Sequence, residues 1–245
     1  MRYLYKRFAK YYDLIYSEKD YDKEIRFVER LAKKHRIKGK DVLDVACGTG
    51  NHAVLLKKKG FSVIGIDLNK EMLAVARKKT KSIRFLQGDM RRFKLKKRFD
   101  IILCMFSAMS YNQNYNELEK TLKNFYSHLK EKGLLVFDLG IYEERWDLKL
   151  GVDVIRCQYK GADLVRFARS TRQGDYGIIN MAYIMFKDKK FTFGHEKHKM
   201  YIFKALNIKK AAEKVGFKVK LYDAFSGKPW NKKNKKQLVI SAVKE

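Results

Sequence analysis

Three carboxylates and two glycines carry the chemistry most readily read from this chain. The run Val42-Leu43-Asp44-Val45-Ala46-Cys47-Gly48-Thr49-Gly50 leads from apolar residues into a glycine-containing turn, and Asp67 ends the next apolar run 17 residues after Gly50. Gly48 and Gly50 let the backbone turn sharply and approach a ligand with no Cβ in the way. A carboxylate at the carboxyl end of a second strand can accept hydrogen bonds from both hydroxyls of a ribose, which assigns that part to Asp67. From Asp44 the loop reads Asp-x-Ala-x-Gly-x-Gly. It is not G-x-G-x-x-G and lacks the tail that cradles a pyrophosphate. The implied ligand is an adenosine without phosphates. Downstream, Asp89 can accept a hydrogen bond from an exocyclic adenine amine, and the Met90 backbone N–H can reach a ring nitrogen. Leu68, Met72 and Met90 can sandwich the base, and Met105-Phe106-Ser107 borders the same crevice with Ala46 and Cys47. Asp44 either joins this crevice or only accepts backbone N–H groups of its loop.

Elements must bring these residues together. Tyr11–Lys34 reads as helical from its apolar spacing. Strands are expected at Asp41–Val45, Ser62–Asp67, Ile83–Gln87, Phe99–Met105 and Leu134–Leu139. Helices are expected at Asn51–Lys59, stopped by Gly60, from the N-cap Asn69 to Lys79, and at Tyr115–Lys130. This alternation predicts an α/β fold with a mostly parallel, doubly wound sheet, and it places every candidate residue at carboxyl strand ends. The helix after Gly50 also directs its free N–H groups towards the ligand. From Ile141 the pattern becomes β-segments at 152–160, 163–172, 177–186 and 190–203, separated by turn signals. A helix at Ile208–Val215 and an antiparallel pair, Lys218–Phe225 and Leu238–Val243, complete a seven-stranded sheet. The expectation is one domain over 1–245, with a core of 1–140 and 204–245 and an antiparallel β insertion at 141–203.

Composition narrows the function classes. At 245 residues with 46% hydrophobic and 13% aromatic content, the chain can bury one large core. No apolar run approaches the roughly 18 residues that span a bilayer, and Met1-Arg2-Tyr3-Leu4-Tyr5-Lys6 is no signal peptide. Cys47, Cys104 and Cys157 read as reduced thiols of a cytoplasmic protein. The net charge of +29 fits either an anionic partner such as RNA or lysines that merely solvate helix faces. Basic residues spread along the whole chain, which favours solvation. The run Lys232-Lys233-Asn234-Lys235-Lys236 is read as a solvated loop, with a phosphate clamp as the alternative. His195-Glu196-Lys197-His198 is not a metal motif: in a strand, positions 195 and 198 face opposite sides. No metal is expected. Ser107 and Ser110 have no His/Asp partner nearby in sequence that would argue for a nucleophile.

Leu43–Gly50 resembles motif I of class I S-adenosylmethionine-dependent methyltransferases, a family with a Rossmann-like sheet. Asp67 matches that family's ribose acid, and Gln87-Gly88-Asp89-Met90-Arg91 its adenine loop. Tyr12-Asp13-Leu14, Lys19-Asp20-Tyr21, Met105-Phe106-Ser107 and the β insertion before Tyr201-Ile202-Phe203 are similar to the subgroup that includes deoxyamino-sugar N,N-dimethyltransferases. The resemblance implies S-adenosylmethionine as cofactor and S-adenosylhomocysteine as product. It puts the methionine end near Ala46 and the Tyr11–Tyr21 segment, including Tyr12 and Tyr21, and the methyl group towards Ser107–Tyr111. Amphipathic packing is the alternative reading of Tyr12, Tyr16 and Tyr21. By the same resemblance Tyr111 becomes the candidate that positions the substrate or accepts its proton, with a rim residue of no chemical role as the alternative. The implied reaction is in-line methyl transfer to N or O of a small-molecule acceptor, governed by positioning, because no dedicated acid–base pair is visible. An RNA methyltransferase and a non-catalytic adenosyl-ligand-binding protein are the rival readings.

Overall fold

A computed structural model describes residues 9–149, 151–159 and 161–245. Met1–Lys6, read above for a leader, lie outside the described residues. In chain order the elements are α1 (Tyr12–Ile15), α2 (Tyr21–Lys34), β1 (Asp41–Val45), α3 (Asn51–Lys58), β2 (Ser62–Asp67), α4 (Lys70–Lys79), β3 (Arg84–Gln87) and β4 (Phe99–Cys104). Then follow α5 (Tyr115–His128), β5 (Leu129–Leu139), β6 (Gly151–Tyr159), β7 (Ala162–Gln173), β8 (Tyr176–Lys187), β9 (Lys190–Tyr201), α6 (Ala205–Val215), β10 (Phe217–Asp223) and β11 (Leu238–Lys244).

Seven strands form one sheet in the order β10-β11-β5-β4-β1-β2-β3. The β1–β5 pairings are parallel, and β11 runs antiparallel to both neighbours. Apolar side chains leave both faces of this sheet. Leu43, Ile102 and Leu135 join one buried cluster, while Val42, Ile101 and Leu134 join another. Burial on both faces explains why the central strands read as continuous apolar runs. The strand order reverses beside β1, so a crevice opens over the carboxyl ends of β1 and β4.

Most element ends fall within three residues of expectation, and two departures are larger. The first helix is broken at Tyr16–Asp20, because the Asp20 side chain accepts from Lys23 N at 2.8 Å and starts a new helix. Strand β5 begins at Leu129, directly after α5, instead of at Leu134.

Strands β6–β9 form a separate antiparallel sheet. Asp188 and Lys189, with φ of 50° and 59°, make the two-residue hairpin between β8 and β9. Cross-strand register puts Asp153, Arg166, Tyr183, Glu196 and His198 on one face with Leu164, Met185 and Met200. That face packs against α1, where Tyr12, Ile15, Leu164 and Tyr183 share a cluster. The other face exposes Val152, Val154, Phe167, Phe186, Phe191 and Phe193. No helix of the described residues is long and apolar enough to cross a membrane.

Candidate active site

The turn after β1 uses backbone that favours glycine. Ala46, Gly48 and Gly50 all take left-handed φ, of 55°, 56° and 79°. A Cβ on Gly50 would also lie 3.0 Å from the Phe85 ring. Asp67 anchors this turn from the end of β2: Gly48 N donates to Oδ2 at 2.8 Å, and Asn69 N donates to Oδ1 at 2.8 Å. Asn69 caps α4 by accepting from Glu71 N and Met72 N at 2.9 and 3.0 Å. Asp13, on α1, grips the same turn from the other side. It accepts from Thr49 Oγ1 at 2.6 Å and Asn51 Nδ2 at 2.9 Å, and it pairs with Lys79 at 2.6 Å. The Tyr12-Asp13 sequence thus ties the amino-terminal segment to the glycine turn.

These elements enclose a cavity of about 620 Å³ lined by Tyr12, Ala46, Gly48, Asp67, Leu68, Met72, Asp89, Met90, Met105 and Tyr111, among others. Four other residues singled out from sequence do not line it. Asp44 is buried beneath the turn, and burial pushes its carboxyl up to about 6, with His52 opposing and Asp67 adding to the shift. The Cys47 sulfur lies behind the turn, 3.0 Å from the position of a Cβ on Gly65, and burial raises its thiol. Gly50 is the N-cap of α3. Tyr21 opens α2 and stacks edge-on against His52, ring centroids 5.0 Å apart. His52 Nε2 lies 2.6 Å from Glu24 Oε2, and Lys19 pairs with the other oxygen. Burial opposes ionisation of Glu24, but His52 and Lys19 outweigh it and hold the carboxyl below its usual range.

Asp89 is forked by Arg91, with contacts of 2.9 Å from Nε to Oδ1 and 2.7 Å from Nη2 to Oδ2. Those bonds hold its carboxyl below the usual range despite the burial that opposes them. Arg91 also pairs with Glu117 at 2.9 Å. It is the only cation among the described residues lining this cavity. A wall of carboxylates and apolar side chains, with its one guanidinium already paired, suits a phosphate-free nucleoside. Burial raises the Asp67 carboxyl, against the backbone N–H groups of Asn69 and Gly48.

The loop after β4 is strained. Phe106 and Ser107 both hold left-handed φ, of 62° and 61°. Asp138, fully buried at the end of β5, accepts from both of their backbone N–H groups and from Gln237 Nε2. Burial pushes its carboxyl up to about 6. Ser107 Oγ accepts from Gly140 N at 2.7 Å, a structural bond. Phe106 and Tyr111 face a second cavity as well, of about 800 Å³, between this loop and the inner face of the β6–β9 sheet. Lys19, Glu24, Arg145, Asp153, Arg166 and His198 also line it. Arg166 donates to Tyr16 Oη at 3.2 Å and pairs with Asp153. Tyr111 Oη lies 2.7 Å from His198 Nδ1.

Sequence reasoning did not pick out Asp13, Asp138, Arg166, Glu196 or His198 for the site. One signal was available for Arg166, a polar residue between Leu164 and Ala168 on one face of β7; the face of β9 that carries Glu196 and His198 reads Thr192, Gly194, Glu196, His198, Met200 and has no apolar pattern to set them apart. His195 and His198 do face opposite sides; His195 is exposed and His198 buried. The Lys232–Lys236 side chains are exposed, while the carbonyls of Lys235 and Lys236 accept from Arg145 Nε at 2.9 Å and Tyr142 Oη at 2.7 Å.

Residues 42–133 match the model of a methyltransferase domain. The chain is 30% identical over 214 residues to the dTDP-3-amino-3,6-dideoxy-alpha-D-glucopyranose N,N-dimethyltransferase of Streptomyces fradiae, covering 86% of this chain and 84% of that one. It is 33% identical over 170 residues to the dTDP-3-amino-3,4,6-trideoxy-alpha-D-glucopyranose N,N-dimethyltransferase of Streptomyces venezuelae, covering 68% and 71%. The solved sugar N-methyltransferase from Streptoalloteichus sp. superposes with a TM-score of 0.85 at 25% identity, over 96% of this chain and 92% of that one. With its glycine turn, strand-end carboxylates and second sheet in place, the chain belongs to the class I S-adenosylmethionine-dependent methyltransferases.

Proposed function

We propose that this methyltransferase acts on an amine of a small, sugar-like molecule held in the cavity under the second sheet. The observation that carries this reading is the shared wall: Phe106 and Tyr111 line both cavities, so a donor in one meets an acceptor in the other at a single loop. The relatives' printed activities, on amino groups of nucleotide-linked deoxysugars, supply the acceptor class.

S-adenosylmethionine supplies a methyl group that is already electrophilic on its sulfonium. The protein's residues position and enclose. We assign Asp67 to the ribose, Asp89 with Leu68, Met72 and Met90 to the adenine, and Ala46, Gly48 and Tyr12 to the methionine end. Asp44 and Tyr21 act from behind, Asp44 as a negative charge under the turn and Tyr21 by fixing His52. Cys47 and Gly50 shape the turn. Met105 and Tyr111 border the transferred methyl. Burial pushes the Tyr12 phenol well up, so it serves as a neutral hydroxyl.

The second sheet, residues 141–203, acts as an insertion that roofs a single methyltransferase domain made from 1–140 and 204–245. The three free thiols suit a reducing cytoplasm. The +29 charge is read as solvation, since the lysines of Lys232–Lys236 are exposed and line neither cavity. Methyl-labelled cofactor added to a cell extract, followed by separation into nucleic-acid, protein and metabolite fractions, tests the acceptor class. Label in the metabolite fraction, bound to nitrogen, is expected. Label in RNA would overturn the reading.

A further inference from the structure

The inner face of the β6–β9 sheet carries a buried carboxylate and a buried imidazole in line with Tyr111. Tyr111 Oη lies 2.7 Å from His198 Nδ1, and His198 Nε2 lies 2.7 Å from Glu196 Oε2. Glu196 and His198 are 0% and 2% exposed. Burying a carboxylate and an imidazole costs several kcal/mol unless they are paired, and plain packing would be served by apolar residues. The line has a direction. Tyr111 and His198 line the acceptor cavity, whereas Glu196 lies deeper. The groups facing the pair are Tyr183 of β8, hydrogen-bonded to Glu196, with Arg166 and Asp153 from β7 and β6 and Tyr16 after α1. Arg166 is itself tied to Asp153.

We infer that Tyr111, His198 and Glu196 form a proton relay that accepts the proton of an acceptor arriving as an ammonium ion. This rests on the amine reading above. An ammonium has no lone pair and cannot attack. Its N–H passes a proton to the Tyr111 oxygen as the Tyr111 hydroxyl passes its own to Nδ1 of His198. The phenol stays neutral throughout, which agrees with its place in a half-buried wall. His198 becomes an imidazolium held against the Glu196 carboxylate, as a base is held by its orienting acid elsewhere in acid–base catalysis. The freed nitrogen lone pair forms the N–C bond while the electron pair of the breaking C–S bond returns to sulfur. The product is a methylated ammonium, and His198 loses its extra proton to cavity water. Tyr111 touches the acceptor; His198 and Glu196 act through it as positioning residues.

The test uses the full chain with dTDP-3-amino-3,6-dideoxy-α-D-glucopyranose, the acceptor named for the S. fradiae relative. Without the relay only acceptor that is already neutral reacts, so kcat/KM falls about tenfold for each pH unit below the amine's own pKa. His198→Gln and Glu196→Gln should therefore lose about a hundredfold roughly two units below that pKa, and recover most of it above. A purely structural role would cost the same at every pH. Equal loss across pH, or wild-type rates in both variants, overturns the relay. Wild-type protein that leaves this acceptor and a panel of other amines unmethylated refutes the acceptor class instead. A second readout needs no turnover: 15N NMR of histidine-labelled protein should show His198 neutral with its proton on Nε2. A proton on Nδ1 would overturn the relay.

Discussion

Replacing Asp67 by alanine is expected to weaken S-adenosylhomocysteine binding by about two orders of magnitude, through loss of charge-assisted bonds. Each Asp67 oxygen already accepts one backbone N–H at 2.8 Å, from Gly48 or Asn69. A carboxylate oxygen has a second acceptor direction, so each can take one ribose hydroxyl as well. A hydrogen bond to a charged group is worth roughly 1.5–3 kcal/mol, giving a gross loss of about 3–6 kcal/mol. Water entering the space left by the side chain recovers part of that. A net loss of about 2–4 kcal/mol corresponds to roughly thirty- to thousandfold in Kd. The loss has a second component, because Gly48 at φ 56° loses the acceptor that holds the turn. Asp67→Asn separates the two: its one carbonyl oxygen can hold the turn or a hydroxyl but carries no charge, so about tenfold is expected. Titration calorimetry with S-adenosylhomocysteine, alongside thermal melts, reads both variants. Folded Asp67→Ala with unchanged affinity would refute the ribose assignment and the loop argument together.

Further outcomes follow from the same geometry. Tyr111→Phe should lower kcat by about ten- to a hundredfold with much less change in cofactor affinity, as expected for a group that acts on the acceptor; stopped-turnover assays and calorimetry separate the two, and equal losses would contradict it. Burial raises both Asp44, to about 6, and Asp67. A raised carboxyl is neutral below its pKa and charged above, and the cofactor's amine and hydroxyls need the charged form. S-adenosylhomocysteine affinity should thus be full at neutral pH and begin to fall as pH drops through about 6, where Asp44 protonates, measured by calorimetry; a flat profile from pH 7 to 5 would count against the part given to Asp44. Asp138→Ala leaves the Phe106 and Ser107 N–H groups without their acceptor in a strained loop, so urea unfolding should show a loss of about 2–4 kcal/mol. Stability within about 0.5 kcal/mol of wild type would show that the carboxylate does not hold the loop.

The parts of the site built by local backbone rules were readable from sequence. Gly48 and Gly50 stand where the turn needs positive φ, and Asp67 ends a strand beside it. The break at Tyr16–Asp20 was also written locally, in an Asp20 N-cap placed before an apolar helix, but the apolar spacing on either side masked it. Pairings across the chain were not readable. Asp138 reads as the end of a buried strand, and only the approach of the Phe106–Ser107 loop gives it a role. The alternation of β9 separates His195 from His198, yet it equally puts Glu196 and His198 on one face. What that face meets depends on how the second sheet lies over the loop carrying Tyr111, which no local pattern encodes. Asp89 was legible as a carboxylate at the crevice, and it lines the first cavity, while the fork it receives from Arg91 was not, because a two-residue separation in a loop carries no fixed geometry.

A crystal structure with S-adenosylhomocysteine bound would bear on all of this at once. The adenosine should lie over the carboxyl ends of β1 and β2, its ribose hydroxyls on Asp67, its adenine between Leu68, Met72 and Met90, and its sulfur turned towards Tyr111. Ligand density elsewhere, or a ribose on any acid other than Asp67, would contradict the account.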